Sequence, residues 1–275
     1  MGRSHGTFVF ALHILRSAVP TPAATPTDIH VVFSNHLDVG FNHRSWHDND
    51  APEGDAACDG LYSPDGERCL PLAANVTSEY FNVYFPRAAS MSDAARKSGG
   101  DPYVYMAQPW VVALFLDCEA SGVNDWRPSH HEPLLACPNA TVLAQFRRAV
   151  AQGDIFMNAF PHNACPETYD ASLFESSLRI GKRLSVQLGV APPRTFSQRD
   201  ETGMTRAILP LLQKHNVSFI SLGSGGSAQG HPRLPGSGRD NYHMQVFRWL
   251  DKVSGSEVLM TADVSPTHSC KLYFF

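Results

Sequence analysis

Short apolar runs alternate along the chain with longer segments of helical period. Ile29 and Val31-Val32-Phe33 carry the β-branched and aromatic content of a buried strand, expected over residues 29–33, which ends where Ser34-Asn35-His36 turns polar. Val76, Tyr80, Phe81 and Tyr84 then recur at helical spacing and predict a helix over about residues 74–84, broken or kinked near Pro86. A second strand is expected over 103–106, a continuous apolar run fills 110–116, and 121–138 reads as loop. Asn139 caps a predicted helix that buries Val142, Leu143, Phe146, Ala149 and Val150 and stops at Gly153, with a strand over 155–160 directly behind it. The next helix spans about 171–188, stopped by Gly189 and Pro192-Pro193, and leads to a strand at 194–197. Thr202 is read as the cap of a helix reaching Lys214, followed by a strand over 217–222. Residues 246–249 and 257–260 flank Ser254-Gly255-Ser256 as a hairpin.

Strand, helix and strand in repetition predict an α/β fold with parallel strands, because parallel neighbours need a helical crossover. Ligand sites in such folds gather beyond the carboxyl ends of the strands. His36 and Asp38, the stretch 158–167, and Asp200 all follow predicted strands, so their placement predicts one shared site. The chain divides into a possible signal peptide and linker over 1–27, an α/β domain over 28–262 with a polar insertion at 42–71, and an unpatterned tail over 263–275.

Composition narrows the partners. With 43% hydrophobic and 17% charged residues the 275-residue chain is ordinary globular material, and a net charge of -4 offers no footprint for nucleic acid. The run Phe8-Val9-Phe10-Ala11-Leu12-His13-Ile14-Leu15 behind Arg3 has the outline of a secretory signal and is too brief to span a bilayer, so no transmembrane segment is expected. A secreted or lumenal location follows as an expectation, and the sequons at Asn75, Asn139 and Asn216 are compatible with it. Among the six cysteines, Cys58 with Cys69 and Cys118 with Cys137 each bracket a loop that a disulfide could close; for Cys118 a buried, inert thiol is the competing reading. The glycine-rich stretch 223–227 lacks the Gly-Lys-Ser/Thr ending of a phosphate cradle and reads as an ordinary loop.

The chemistry centres on Ser34-Asn35-His36-Leu37-Asp38-Val39-Gly40-Phe41. In extended chain, positions i and i+2 share a side, so the His36 imidazole and the Asp38 carboxylate reach into one space. That pair can be half of a zinc shell or a hydrogen-bonded loop pair, and spacing leaves both readings open.

His36-Leu37-Asp38-Val39-Gly40-Phe41 resembles the His-x-Asp-x-Gly-Trp motif that opens the catalytic domain of glycoside hydrolase family 38 α-mannosidases. The stretch Ser197-Gln198-Arg199-Asp200-Glu201-Thr202-Gly203-Met204-Thr205 is similar to that family's Asp-Pro-Phe-Gly-His-Ser motif, with Asp200 and Gly203 matching outright. A branch related to those enzymes is closer still: Ser-Asn-His-Leu-Asp-Val-Gly-Phe, Ala-Phe-Pro-x-Asn, Ser-Gln-Arg-Asp, Thr-Arg-Ala and Pro-Leu-Leu recur in it in this order. The likeness covers about residues 29–260 apart from the insertion. It implies a parallel, seven-stranded β/α barrel-like catalytic domain, incomplete at its C-terminus, that hydrolyses glycosidic bonds in carbohydrate substrates.

The same resemblance implies Zn2+ held by His36, Asp38 and Asp200, with Asp200 also the nucleophile of a retaining mechanism. Phe41, Asn163, Glu167 and Arg199 are the candidate substrate-binding residues. In the mannosidases a fourth ligand, a histidine, and the acid/base carboxyl group lie beyond the point that corresponds to Phe275. Asp200 has a competing reading as a cap for the helix expected at Thr202. Two other functions compete with the glycosidase: a metal-dependent carbohydrate deacetylase, and a truncated glycan-binding domain without activity.

Overall fold

The computed structural model describes residues 31–35, 37, 71–125, 134–199, 204–223 and 245–263. Strands β1 (Val32–Ser34), β2 (Val104–Ala107) and β3 (Ile155–Met157) form one parallel ladder in that order. A second ladder runs β4-β5-β7-β6, with β4 (Thr195–Gln198), β5 (Phe219–Gly223) and β7 (Glu257–Asp263) parallel and β6 (Gln245–Leu250) antiparallel to β7. The helices are α1 (Pro71–Glu79), α2 (Phe85–Lys97), α3 (Pro109–Leu116), α4 (Cys118–Ser121), α5 (Ala140–Ala151), α6 (Ala171–Leu188) and α7 (Ile208–Lys214). Helix α6 connects β3 to β4 and α7 connects β4 to β5, so the α/β class with helical crossovers is present.

Local chemistry sets the helix ends. Asn139 accepts a hydrogen bond from Val142 N–H at 3.0 Å and Asp170 accepts one from Leu173 N–H at 2.8 Å, each satisfying a donor that a helix start leaves open. Gly189, at φ +69°, ends α6 in the left-handed conformation that glycine adopts without steric cost. The expected break at Pro86 is not there. A π-turn over Tyr80–Tyr84 widens the helix, Phe85 N–H bonds back to Tyr80 O, and Pro86 then sits in the first turn of α2, where its missing N–H costs least. The continuous apolar run 110–116 is helix α3; Pro109 opens it, and Val111, Val112 and Phe115 are fully buried. The helix expected from Thr202 starts only at Ile208: residues 204–207 are not helical, and Ile208 N–H bonds to Thr205 O. Thr202 itself lies outside the described residues.

Two aromatic cores fill the space between strands and helices. In the first, Phe85 packs against Phe115 and Phe146 with ring centroids 5.0 and 4.9 Å apart, joined by Leu37 and Tyr105. In the second, Phe160 lies 5.2 Å from Phe174 and 5.1 Å from Phe196, over Leu209, Leu212 and Ile220. Cys118 and Cys137 form a disulfide, which settles the competing reading of Cys118; the Cys58 and Cys69 pair lies outside the described residues, as do the insertion 42–70 and the tail beyond Asp263.

Among the described residues there are seven strands, and they form two ladders and no closed barrel. The reason lies at the junction. Ala159 N–H still donates to Thr195 O at 2.8 Å, yet the next rung is made by a side chain: Asn158 Oδ1 accepts from Ser197 N–H and Asn158 Nδ2 donates to Ser197 O, both at 2.8 Å. The Asn158 amide therefore stands in for a peptide group and sutures the two ladders. It also explains why β3 stops at Met157, short of the strand expected through 160.

Candidate active site

The carboxyl ends of β2, β3, β4 and β5 converge on a set of buried amides. Gln108 follows β2, Asn158 follows β3, Gln198 ends β4, and all three are at most 3% exposed. Asn158 Nδ2 donates to Gln108 Oε1 at 2.8 Å, and Gln198 Nε2 donates to Ser197 O at 2.9 Å and His162 O at 3.1 Å. Gln198 Oε1 accepts from Ala164 N–H at 2.9 Å. The Asn158 and Gln198 amides are engaged at both oxygen and nitrogen and are therefore rigid, because each lost partner would leave a polar group dry. The loop 158–164 is thus held to β4 along its length, and Trp110 N–H fastens it to α3 through Pro161 O at 3.0 Å.

Asn163 is the junction of this network. Its backbone N–H donates to Leu37 O at 3.1 Å, and its Oδ1 accepts from Arg199 N–H at 3.3 Å. Leu37 stands between His36 and Asp38 in the chain, and Arg199 immediately precedes Asp200. Asn163 is 3% exposed, and its Nδ2 has no hydrogen-bond partner among the described residues. It is a dry amide donor left open at the point where the two motif-bearing segments meet.

Flanking groups fix the two segments further. Tyr105 OH donates to Asn35 Oδ1 at 2.6 Å, just before His36. Burial, with Tyr80 beside it, pushes the Tyr105 phenol far above its ordinary value, so it remains a donor at every working pH. Arg199 turns its guanidinium towards β5, donating to Ser221 O at 3.2 Å and Ser221 Oγ at 3.1 Å. Gly223 makes room for it: a Cβ there would sit 2.6 Å from Arg199 Cδ. Glu167 is exposed on the single turn of 3-10 helix Pro166–Thr168.

Of the residues expected at the site, Asn163 and Arg199 are brought together, and Glu167 lies on the same loop downstream. His36, Asp38, Phe41 and Asp200 lie outside the described residues. Among the described residues, no three His, Cys, Asp or Glu side chains are grouped to hold a metal ion. Gln108 went unnoticed in the sequence, and Asn158, His162 and Gln198 were placed at the site only as parts of the stretches 158–167 and 197–205, without roles of their own. The available signal was a polar residue directly following an apolar strand, which in a parallel sheet marks the carboxyl end.

No family model matches the chain, and no curated protein matches it. Among solved structures, a 4-alpha-glucanotransferase from Thermococcus litoralis aligns over 70% of this chain with a TM-score of 0.45 and 9% identity. The chain spans 26% of that protein's length. A likeness at that level carries no argument about activity.

Proposed function

We propose that the carboxyl end of the strands is the active site of a retaining glycoside hydrolase, with His36, Asp38 and Asp200 converging there on one zinc ion and Asp200 serving as nucleophile. The observation that supports this reading is the pair of bonds on Asn163, which links Leu37 to Arg199 and so draws together the chain on either side of the two motifs. A second point bears on the competing reading of Asp200 as a helix cap. The expected helix does not run from Thr202 to Lys214, since α7 begins at Ile208, so Asp200 loses the helix it would have capped.

The residues fit a divalent ion. One imidazole and two carboxylates are the donor types zinc accepts, and Asn163 Nδ2, which has no hydrogen-bond partner among the described residues, is a donor that a ligating carboxylate would satisfy. When bound, zinc would supply a positive charge that grips adjacent sugar hydroxyls and supports a distorted ring. The protein groups do the rest. The Asp200 carboxylate attacks the anomeric carbon, the glycosidic bond breaks, and a second carboxyl group is required to protonate the leaving oxygen and later deprotonate water. Candidate substrates are α-mannosides and related glycosides. Carbohydrate as partner suits a site of amides, which donate and accept at once as sugar hydroxyls do. The Cys118–Cys137 disulfide suits a secreted or lumenal location.

The test is covalent trapping with a fluorinated glycosyl fluoride on the zinc-loaded chain. Fluoride departs with its electron pair and needs no proton, so the experiment reads the nucleophile independently of any acid. The expected result is one glycosyl ester on the peptide containing Asp200, absent in Asp200→Asn. A zinc-loaded chain that removes acetyl groups from sugars and acquires no label would contradict the glycosidase and favour the deacetylase.

A further inference from the structure

We infer that Asn139 and Asn216 are sites of N-linked glycosylation, each receiving an oligosaccharide on its side-chain amide nitrogen in an oxidising, lumenal compartment. The inference rests on the lumenal location given above and is independent of the zinc chemistry. Asn139-Ala140-Thr141 and Asn216-Val217-Ser218 carry the acceptor pattern, an asparagine with a hydroxyl residue two positions on and no proline between. A triplet alone is a weak signal, and placement in the fold separates the three that this chain holds. At Asn139 and at Asn216, both the asparagine and its hydroxyl residue are exposed. The third triplet, Asn75-Val76-Thr77, falls inside α1 with Thr77 fully buried, so the assignment leaves it out.

Each asparagine keeps its local role when its nitrogen is substituted. Asn139 caps α5 through Oδ1, which accepts from Val142 N–H at 3.0 Å, and an N-glycosidic link leaves that oxygen free to go on accepting. Asn216 stands just past the end of α7 at φ +59°, the left-handed conformation that asparagine tolerates better than most residues with a side chain. Its backbone N–H donates to Gln213 O at 2.9 Å, and Val217 N–H donates to Leu212 O at 2.9 Å. Main chain therefore holds this turn, and the amide is not needed for it. Asn216 also lies just ahead of β5, at the amino end of the parallel strands, so a glycan there leaves the carboxyl end open. The Cys118–Cys137 disulfide, close to Asn139 in the chain, calls for the same oxidising route. The donor class is a polyprenyl diphosphate oligosaccharide: the amide nitrogen attacks sugar C1, the C1–O bond breaks, one amide proton is lost, and the lipid diphosphate leaves with the bonding pair.

Translation of the full chain with its own N-terminus in the presence of microsomes tests the assignment. It is read by protease protection and by peptide mass spectrometry after enzymatic release of the glycans, which turns each modified asparagine into aspartate. The expected result is a protected chain in which the peptides carrying Asn139 and Asn216 are both converted. Thr141→Ala and Ser218→Ala should each remove one glycan while keeping the asparagine, its cap and its turn, so that loss of sugar is not loss of fold. Conversion at one position alone overturns the assignment of the other, and glycans that survive the hydroxyl variants overturn it for both. A protected chain with both asparagines unmodified overturns the glycosylation and leaves the location and the zinc reading intact. An unprotected, unmodified chain overturns the location together with the glycosylation, while zinc binding by the purified chain still reads the active site on its own.

Discussion

The two ends of the parallel strands handle buried polarity in opposite ways. At the amino end, charge is neutralised within the protein. Asp154, 1% exposed and just ahead of β3, is paired with the Arg96 guanidinium at the end of α2. Asp251, in the turn before β7, accepts from Val253 N–H, Ser254 N–H and Ser254 Oγ and lies 3.3 Å from Arg206 Nε. At the carboxyl end, neutral amides carry most of the buried polarity, and the network stops short at Asn163 Nδ2, a donor with no hydrogen-bond partner among the described residues. The ionic pairs at the amino end are closed, whereas the Asn163 amide leaves one donor open. Buried polar groups are nearly always paired, and the open Asn163 amide is the exception that a bound group at the proposed site would account for.

The comparison can be broken most severely at the suture. Asn158→Leu keeps the volume but strands Ser197 N–H and Gln108 Oε1 and leaves Ser197 O with the Gln198 amide alone, and is expected to cost about 3–5 kcal/mol in chemical denaturation. A loss under 1 kcal/mol would mean that the two ladders do not depend on that amide. Arg96→Ala leaves the Asp154 carboxylate buried and unpaired. Because Arg96 is itself partly exposed, water can replace some of the lost contact, and about 2 kcal/mol is expected instead of the full cost of a buried pair.

Asn163→Leu should separate stability from function. It removes a donor that has no partner and one long bond from Arg199 N–H, so about 1 kcal/mol or less is expected in the unfolding free energy, together with weakened zinc retention. If zinc retention is untouched, the open donor has no bearing on the site. The smallest effect concerns acid. Burial lowers the His215 pKa below its ordinary value, so the unfolded chain takes up protons first, and stability falls as pH drops below about 6.5. Hydrogen bonds from Lys214 to Glu175 and from Ser254 to Asp251 hold those carboxyl groups below their usual range, and their contributions vanish only as pH falls through the lowered values, under about 4. In His215→Leu the decline between pH 6.5 and 5 should flatten while the steeper loss at lower pH persists. An unaltered profile would show that His215 takes no part.

Much of the scaffold could be read from residue order because its signals are local. Helix α6 begins at the Asp170 cap and ends at Gly189 where periodicity and glycine place it, and the β6-β7 hairpin follows from alternating runs about Ser254-Gly255-Ser256. Pro86 misled because the widened turn that accommodates it has no sequence mark of its own. The early end of β3 and the split into two ladders depend on Asn158 reaching Ser197 across 39 positions of chain, a contact that no periodicity encodes. Asn163 was recognisable as a site residue, but a role against sugar hydroxyls was expected, and at 3% exposure it is better suited to holding the segments that flank the motifs.

The central claim is that the open end of the strands gathers His36, Asp38 and Asp200 about one metal ion. Native mass spectrometry of the intact chain purified with zinc tests it most directly. One zinc per chain is predicted, retained in Arg96→Ala at the opposite end and lost in each of His36→Ala, Asp38→Ala and Asp200→Asn. A wild-type chain that carries no zinc, or an Asp200→Asn chain that keeps it, would contradict the account.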